Sequence, residues 1–217
     1  MLRRGDRQDA VTLVELVIVL VVSGILFFTT PILIFHGVKT LVFLPKALAV
    51  NQTAMEILHQ VVEGGFSTLP GQTTIPGLRF AVQRISTERA LWLAEADRIG
   101  FRTSDGQSVL IRWDSSVVNQ EVIRRTLPTP SCTPVMDPGE SIPYHADGSV
   151  RILRIAPATP VFRYYNQSGT EIVTPGCPPL TTIRRVDIAF TAQTGSGLFD
   201  EGQASENLTT SVAIRVP

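Results

Sequence analysis

Three histidines, two cysteines and 19 acidic side chains are what this 217-residue chain offers for chemistry, and their spacing argues against most of it. A hydrolase needs a nucleophile, a base and an orienting group, yet His36, His59 and His145 fall in unrelated contexts. The signatures HExxH, the P-loop and GxSxG are all absent. Asp137, Glu140 and Asp147 come close together in sequence but lack the dense acidic spacing of a calcium loop, so they are read as solvated. Asn51, Asn166 and Asn207 each begin a glycosylation sequon that is read as coincidental. The expectation is a protein without catalysis, metal or cofactor. Two features stand apart: Glu15, alone among apolar residues, and the cysteines Cys132 and Cys177. A carboxylate within a spanning helix costs about 2.5–3.5 kcal/mol and is normally kept for a partner.

The element that must carry Glu15 is the run from Val11 to Phe35, VTLVELVIVLVVSGILFFTTPILIF, in which it is the one charge. At roughly 1.5 Å per residue such a helix crosses a hydrocarbon core about 30 Å thick. Arg3, Arg4 and Arg7 precede it and outnumber Asp6 and Asp9, which places the N-terminus on the cytoplasmic side and the rest outside. A secretory signal fits less well. Its core runs about 7–15 residues, it has no use for an acid, and no small-x-small cleavage site follows here. The net charge is zero, so nothing in the composition draws the chain to nucleic acid.

The stretch Ala10-Val11-Thr12-Leu13-Val14-Glu15-Leu16, leading into a long apolar helix with Gly24 and Pro31, resembles the N-terminal signal of type IV pilins and type II secretion pseudopilins. That resemblance implies removal of residues 1–10 by a prepilin peptidase and methylation of the new N-terminus, Val11. The family usually has Gly and Phe where this chain has Ala10 and Val11. Cutting after Gly5 would instead leave Ala10 where the family has its glutamate. The resemblance also implies that Glu15 meets the Val11 amine of a neighbouring subunit during filament assembly. Other pilin or pseudopilin subunits, an inner-membrane assembly platform and, before assembly, membrane lipid are the implied partners. The implied location is the bacterial inner membrane, spanned once with a periplasmic C-terminal domain, and then the filament. The blocks Ile75–Phe80, Phe162–Tyr165, Ile183–Val186 and Thr210–Val212 look more loosely like minor pilins and J-type pseudopilins, subunits of the filament tip. The competing reading is a single-pass anchored adhesin or ligand-binding module.

The expected architecture is α+β: a leader over 1–10, a long helix over 11–63 whose first part (about 11–36) spans the membrane, and a β-rich domain over 64–217. Pro31 and Pro45 predict a kink or local unwinding. Leu48, Met55, Leu58 and Val62 predict an apolar face packed on an antiparallel sheet, and Gly64-Gly65 predict the helix end. Residues 98–103 and 109–113 read as a hairpin around Ser104–Gln107, with 122–127 as a third strand. A second hairpin is expected over 161–165 and 171–173, with further strands at 183–192 and 211–216. Proline-rich loops are expected over 128–143 and 175–179, each carrying one cysteine. In an oxidising compartment this predicts a Cys132–Cys177 disulfide.

Overall fold

The computed structural model describes residues 13–66, 74–82, 90–117, 120–133, 140–142, 150–173, 176–177, 182–194 and 204–214. One α-helix, α1, runs over Leu13–Val62. The chain divides into two compact units between Leu44 and Pro45, within that helix. The leader and the expected cleavage site lie outside the described residues. The helix continues through both Pro31 and Pro45 without the expected unwinding. Just ahead of Pro31, the hydroxyls of Thr29 and Thr30 donate back to the Ile25 and Leu26 carbonyls at 2.9 and 2.7 Å.

In the second unit the buried face of α1 is not the one that the large side chains suggest. Val50, Ala54, Ile57 and Val61 are sealed, whereas Leu48 is 55% and Met55 58% exposed; Leu58 and Val62 flank the seal. Both sets keep helical spacing. The buried set uses smaller side chains, which let the sheets approach the helix backbone more closely than leucine and methionine would.

The helix ends where it meets a short ribbon of β1 (Gly64–Phe66) and β2 (Thr74–Pro76). Gly64 has φ +90°, the left-handed region that terminates helices and favours glycine. A Cβ at Gly64 would stand 2.4 Å from the Ile75 oxygen and 2.5 Å from the Gly77 nitrogen. One at Gly77 would stand 2.3 Å from the Gly64 nitrogen and 2.4 Å from the Val62 oxygen. The two glycines therefore close a backbone-to-backbone clasp, and a 3-10 turn over Leu78–Phe80 follows it.

Among the described residues that follow, strands form two five-stranded antiparallel sheets, in place of the single sheet expected. The first holds β3 (Leu91–Ala94), β4 (Arg98–Arg102), β5 (Ser108–Val117), β6 (Gln120–Thr126) and β7 (Glu140–Ile142) in sequence order. The β4–β5 hairpin and the β6 meander fall where alternation placed them. By contrast β7 lies inside the expected loop over 128–143 and pairs with β6. The second sheet holds β8 (Val150–Leu153), β9 (Phe162–Tyr165), β10 (Glu171–Ile172), β11 (Arg185–Thr194) and β12 (Ser205–Ala213). Its last strand begins and ends earlier than the expected 211–216.

One core cluster joins α1, through Ala54 and Ile57, to Phe101 and Ile123 of the first sheet and to Phe162, Val186 and Phe190 of the second. Polar contacts lock the sheets together. The Trp113 indole donates to the Ile152 carbonyl at 2.6 Å, and the Tyr164 hydroxyl to that of Glu95 at 2.8 Å. Burial pushes the Tyr164 phenol well above the ordinary tyrosine range. Arg125, only 2% exposed, donates to the Phe66 carbonyl and so ties β6 to the ribbon. Buried charge survives only where it is bonded in this way.

Cys132 and Cys177 are bonded, with Cα atoms 5.4 Å apart and a separation of 45 positions in sequence. Cys177 packs on a small satellite cluster of Trp92, Leu93 and Leu110, away from the main core. In the chain-entropy account, opening a loop of this length destabilises by about 4 kcal/mol. Replacing both cysteines with serine is expected to lower the denaturant midpoint accordingly and to steepen the transition, because the uncrosslinked unfolded chain exposes more surface. A midpoint equal to the parent's would show that the bond adds nothing to stability.

Candidate membrane and assembly segment

From Leu13 to Leu44 almost every apolar side chain of α1 is exposed, on all sides of the helix. Its most apolar window has a mean hydropathy of 2.6, and none of that window is buried. A helix apolar all round is unsatisfied in water and belongs in lipid or among other apolar helices. Its length and composition suffice to cross a membrane. Past the apolar run, Lys39 lies over the Phe35 ring at 4.5 Å and the Thr40 hydroxyl bonds the His36 carbonyl at 2.9 Å.

Glu15 sits in the first turn of α1, where a negative charge complements the helix dipole. At about 100° per residue, Gly24 lies about 180° around the axis from Glu15, and Pro31, two turns further on, falls close to the Gly24 line. The carboxylate and the glycine–proline pair therefore mark opposite sides of one helix. Apart from its chain neighbours and the backbone of its own helix turns, no atom of the described residues comes within 4 Å of a Cβ built at Gly24, so tertiary packing among them does not require the glycine. Near Pro31 the helix presents an open, largely apolar surface formed by Leu26, Phe27, Ile34 and Phe35 between Ser23 and Val38.

No family model, curated protein or solved structure matches the chain. What it does must therefore be argued from its own residues.

His36 and His59 lie on α1, 23 positions apart along one helix. His145, Asp137 and Asp147 lie outside the described residues, and Glu140 belongs to β7. Among the described residues no three His, Cys, Asp or Glu side chains are grouped to hold a metal. Two sequon asparagines have structural duties instead. Asn166 Oδ1 accepts from the Thr170 amide at 2.8 Å and the Ser168 hydroxyl at 2.7 Å, shaping the β9–β10 turn. Asn207 Oδ1 accepts from the Thr191 hydroxyl at 2.6 Å across β11 and β12.

One feature had no sequence signal at all. A groove of about 510 Å³ is lined by Asn166, Gln167, Ser168, Thr182 and Arg184, residues far apart in sequence that the β9–β10 turn and the approach to β11 bring together. The Arg184 backbone is pinned on both sides, its amide bonding the Tyr165 carbonyl and its carbonyl accepting from Ile214, each at 2.8 Å.

Proposed function

We propose that this protein is a subunit of a pilin-type filament, a minor pilin or pseudopilin placed at or near the tip of a type IV pilus or type II secretion pseudopilus. The observation that carries the reading is α1 itself. A single helix exposes an all-apolar stretch with Glu15 in its first turn and, further along, buries Val50, Ala54, Ile57 and Val61 in a β-rich core. Such a helix suits both residence in a bilayer and transfer into a bundle of like helices, where Glu15 would find the Val11 amine of a neighbour. Gly24 supports the reading too, because tertiary packing among the described residues does not require the glycine. The role is assembly and not catalysis. The precursor would wait in the inner membrane, lose residues 1–10 to the prepilin peptidase, and be drawn into the filament by the assembly platform.

The groove at Asn166 and Arg184 supports a second reading, an anchored periplasmic ligand-binding module or adhesin. Processing separates the two. Mass spectrometry of the mature protein is expected to find a methylated Val11 at the N-terminus. Ala10→Leu, which places a bulky side chain at the scissile bond, is expected to leave the precursor uncut, and Ala10→Gly to be cut at least as well as the parent. Equal mobility of all three proteins with and without the peptidase would remove the filament reading and leave the anchored module.

A further inference from the structure

Among the described residues the second sheet ends on one side in β12, an edge that no further strand extends. The nine residues of β12 (SENLTTSVA) pair with β11 without interruption, from Ser205 opposite Gln193 to Ala213 opposite Arg185. No described strand pairs with the other edge of β12. Proteins usually blunt such an edge with a bulge, a proline, a lysine or a very short strand. Here β12 has no bulge, no proline and no basic residue, and its one charge is Glu206.

The hydrogen-bond phase identifies the outward groups. The Ile214 amide donates to the Arg184 carbonyl at 2.8 Å, and the Thr194 amide to the Ala204 carbonyl at 3.0 Å. Antiparallel bonding alternates residue by residue, so even-numbered residues of β12 bond to β11. The backbone groups of Ser205, Asn207, Thr209, Ser211 and Ala213 therefore point away from the sheet. All five side chains are small and exposed.

We propose that this edge pairs antiparallel with the same edge of a second copy of the chain, about a two-fold axis at Thr209, giving one continuous sheet across two molecules. In that register Ser205 meets Ala213, Asn207 meets Ser211 and Thr209 meets itself, so every outward donor and acceptor finds a partner. The sole charge is also accommodated. Glu206 faces Val212 and not its own copy, so no like charges oppose each other, and threonine paired with threonine is a favourable cross-strand match. A second copy fits because this row of small, uncharged side chains meets its own reverse without a clash of bulk, and the one charge, Glu206, lies off the axis. The inference stands on β12 alone and does not depend on the filament reading.

The test uses the full chain in detergent, with cysteine introduced at single positions; the native cysteines are already bonded to each other. Residues paired on the axis sit about 5.5 Å apart, within the range of about 4.4–6.8 Å that a disulfide spans. Thr209→Cys is therefore expected to give a disulfide-linked dimer under mild oxidation. Ser205→Cys is expected not to, because its two copies would lie eight residues apart, about 27 Å. Thr209→Pro removes an outward amide and no bond to β11, and is expected to leave the protein folded but to abolish the dimer seen by sedimentation. Thr209→Lys checks the same point by opposing two charges on the axis, should the proline variant fail to fold. Linkage at Ser205 equal to that at Thr209, or a dimer that survives Thr209→Lys, would overturn the proposal and would point to contact through α1. A chain that stays monomeric throughout would overturn it as well.

Discussion

Gly64→Ala is expected to be strongly destabilising, lowering stability by about 3–5 kcal/mol. Two costs add. A residue with a Cβ in the left-handed region costs roughly 1–2 kcal/mol, and Gly64 has φ +90°. Overpacking costs about 1–3 kcal/mol more, towards the upper end here because the obstructing atoms are backbone. The Ile75 oxygen and Gly77 nitrogen, 2.4 and 2.5 Å from the new methyl, cannot rotate aside as a side-chain tip would. Gly77→Ala separates the two terms. No left-handed conformation is involved there, yet a Cβ would meet the Gly64 nitrogen at 2.3 Å, so the overpacking cost should appear alone. For a domain stable by about 5–15 kcal/mol the Gly64 change is a large fraction of the total. Denaturant melts of the parent and both variants check this. Loss of less than about 1 kcal/mol in Gly64→Ala would mean that the clasp opens at little cost.

The clasp also shows what the sequence could and could not reveal. Gly64-Gly65 after an amphipathic run reads as a helix end, and the structure ends α1 at Val62. That Gly77 is the other half is invisible in sequence, because the contact joins positions 13 apart through backbone atoms alone. Strands were legible where the sequence supplied a turn or an alternation. The β4–β5 hairpin was readable from its turn residues, Ser104–Gln107, although both strands bury a continuous run, and β11 alternates buried with less buried residues over part of its length. In β3 the residues Leu91 to Ala94 are all buried, leaving no period of two to detect. The ribbon strands, three residues each, are too short to show any period. The helix face was misread for a related reason: weight was placed on Leu48 and Met55, while the seal is built on Ala54 and β-branched neighbours, with Thr53 also buried. The candidate assembly segment was legible because it is local, a run of apolar residues broken by one acid. The groove at Arg184 was not, since its walls come from separate elements.

Glu15→Ala is expected to leave membrane insertion and N-terminal cleavage intact while largely abolishing incorporation into a filament. Insertion should improve slightly, since the change removes a charge that costs about 2.5–3.5 kcal/mol within a spanning helix. Cleavage should survive because the proposed scissile bond, between Ala10 and Val11, lies several residues ahead of the carboxylate. Assembly is where the loss falls. An apolar bundle would hold the neighbour's Val11 amine with nothing to answer it, and leaving one member of a buried pair alone costs about 3–5 kcal/mol. At 1.4 kcal/mol per tenfold, that corresponds to roughly a 100- to 4,000-fold weaker association. Glu15→Gln sharpens the test, since it keeps the shape and hydrogen-bonding capacity but not the charge. It should rescue little if an ion pair sets the register and much if a hydrogen bond suffices. Crosslinking to neighbouring subunits in membranes, compared at equal levels of processed protein, is the measurement. If Glu15→Ala crosslinks and assembles as the parent does, the carboxylate merely reaches water at the cytoplasmic edge, the helix is a tether, and the function lies with the β-rich unit and its groove.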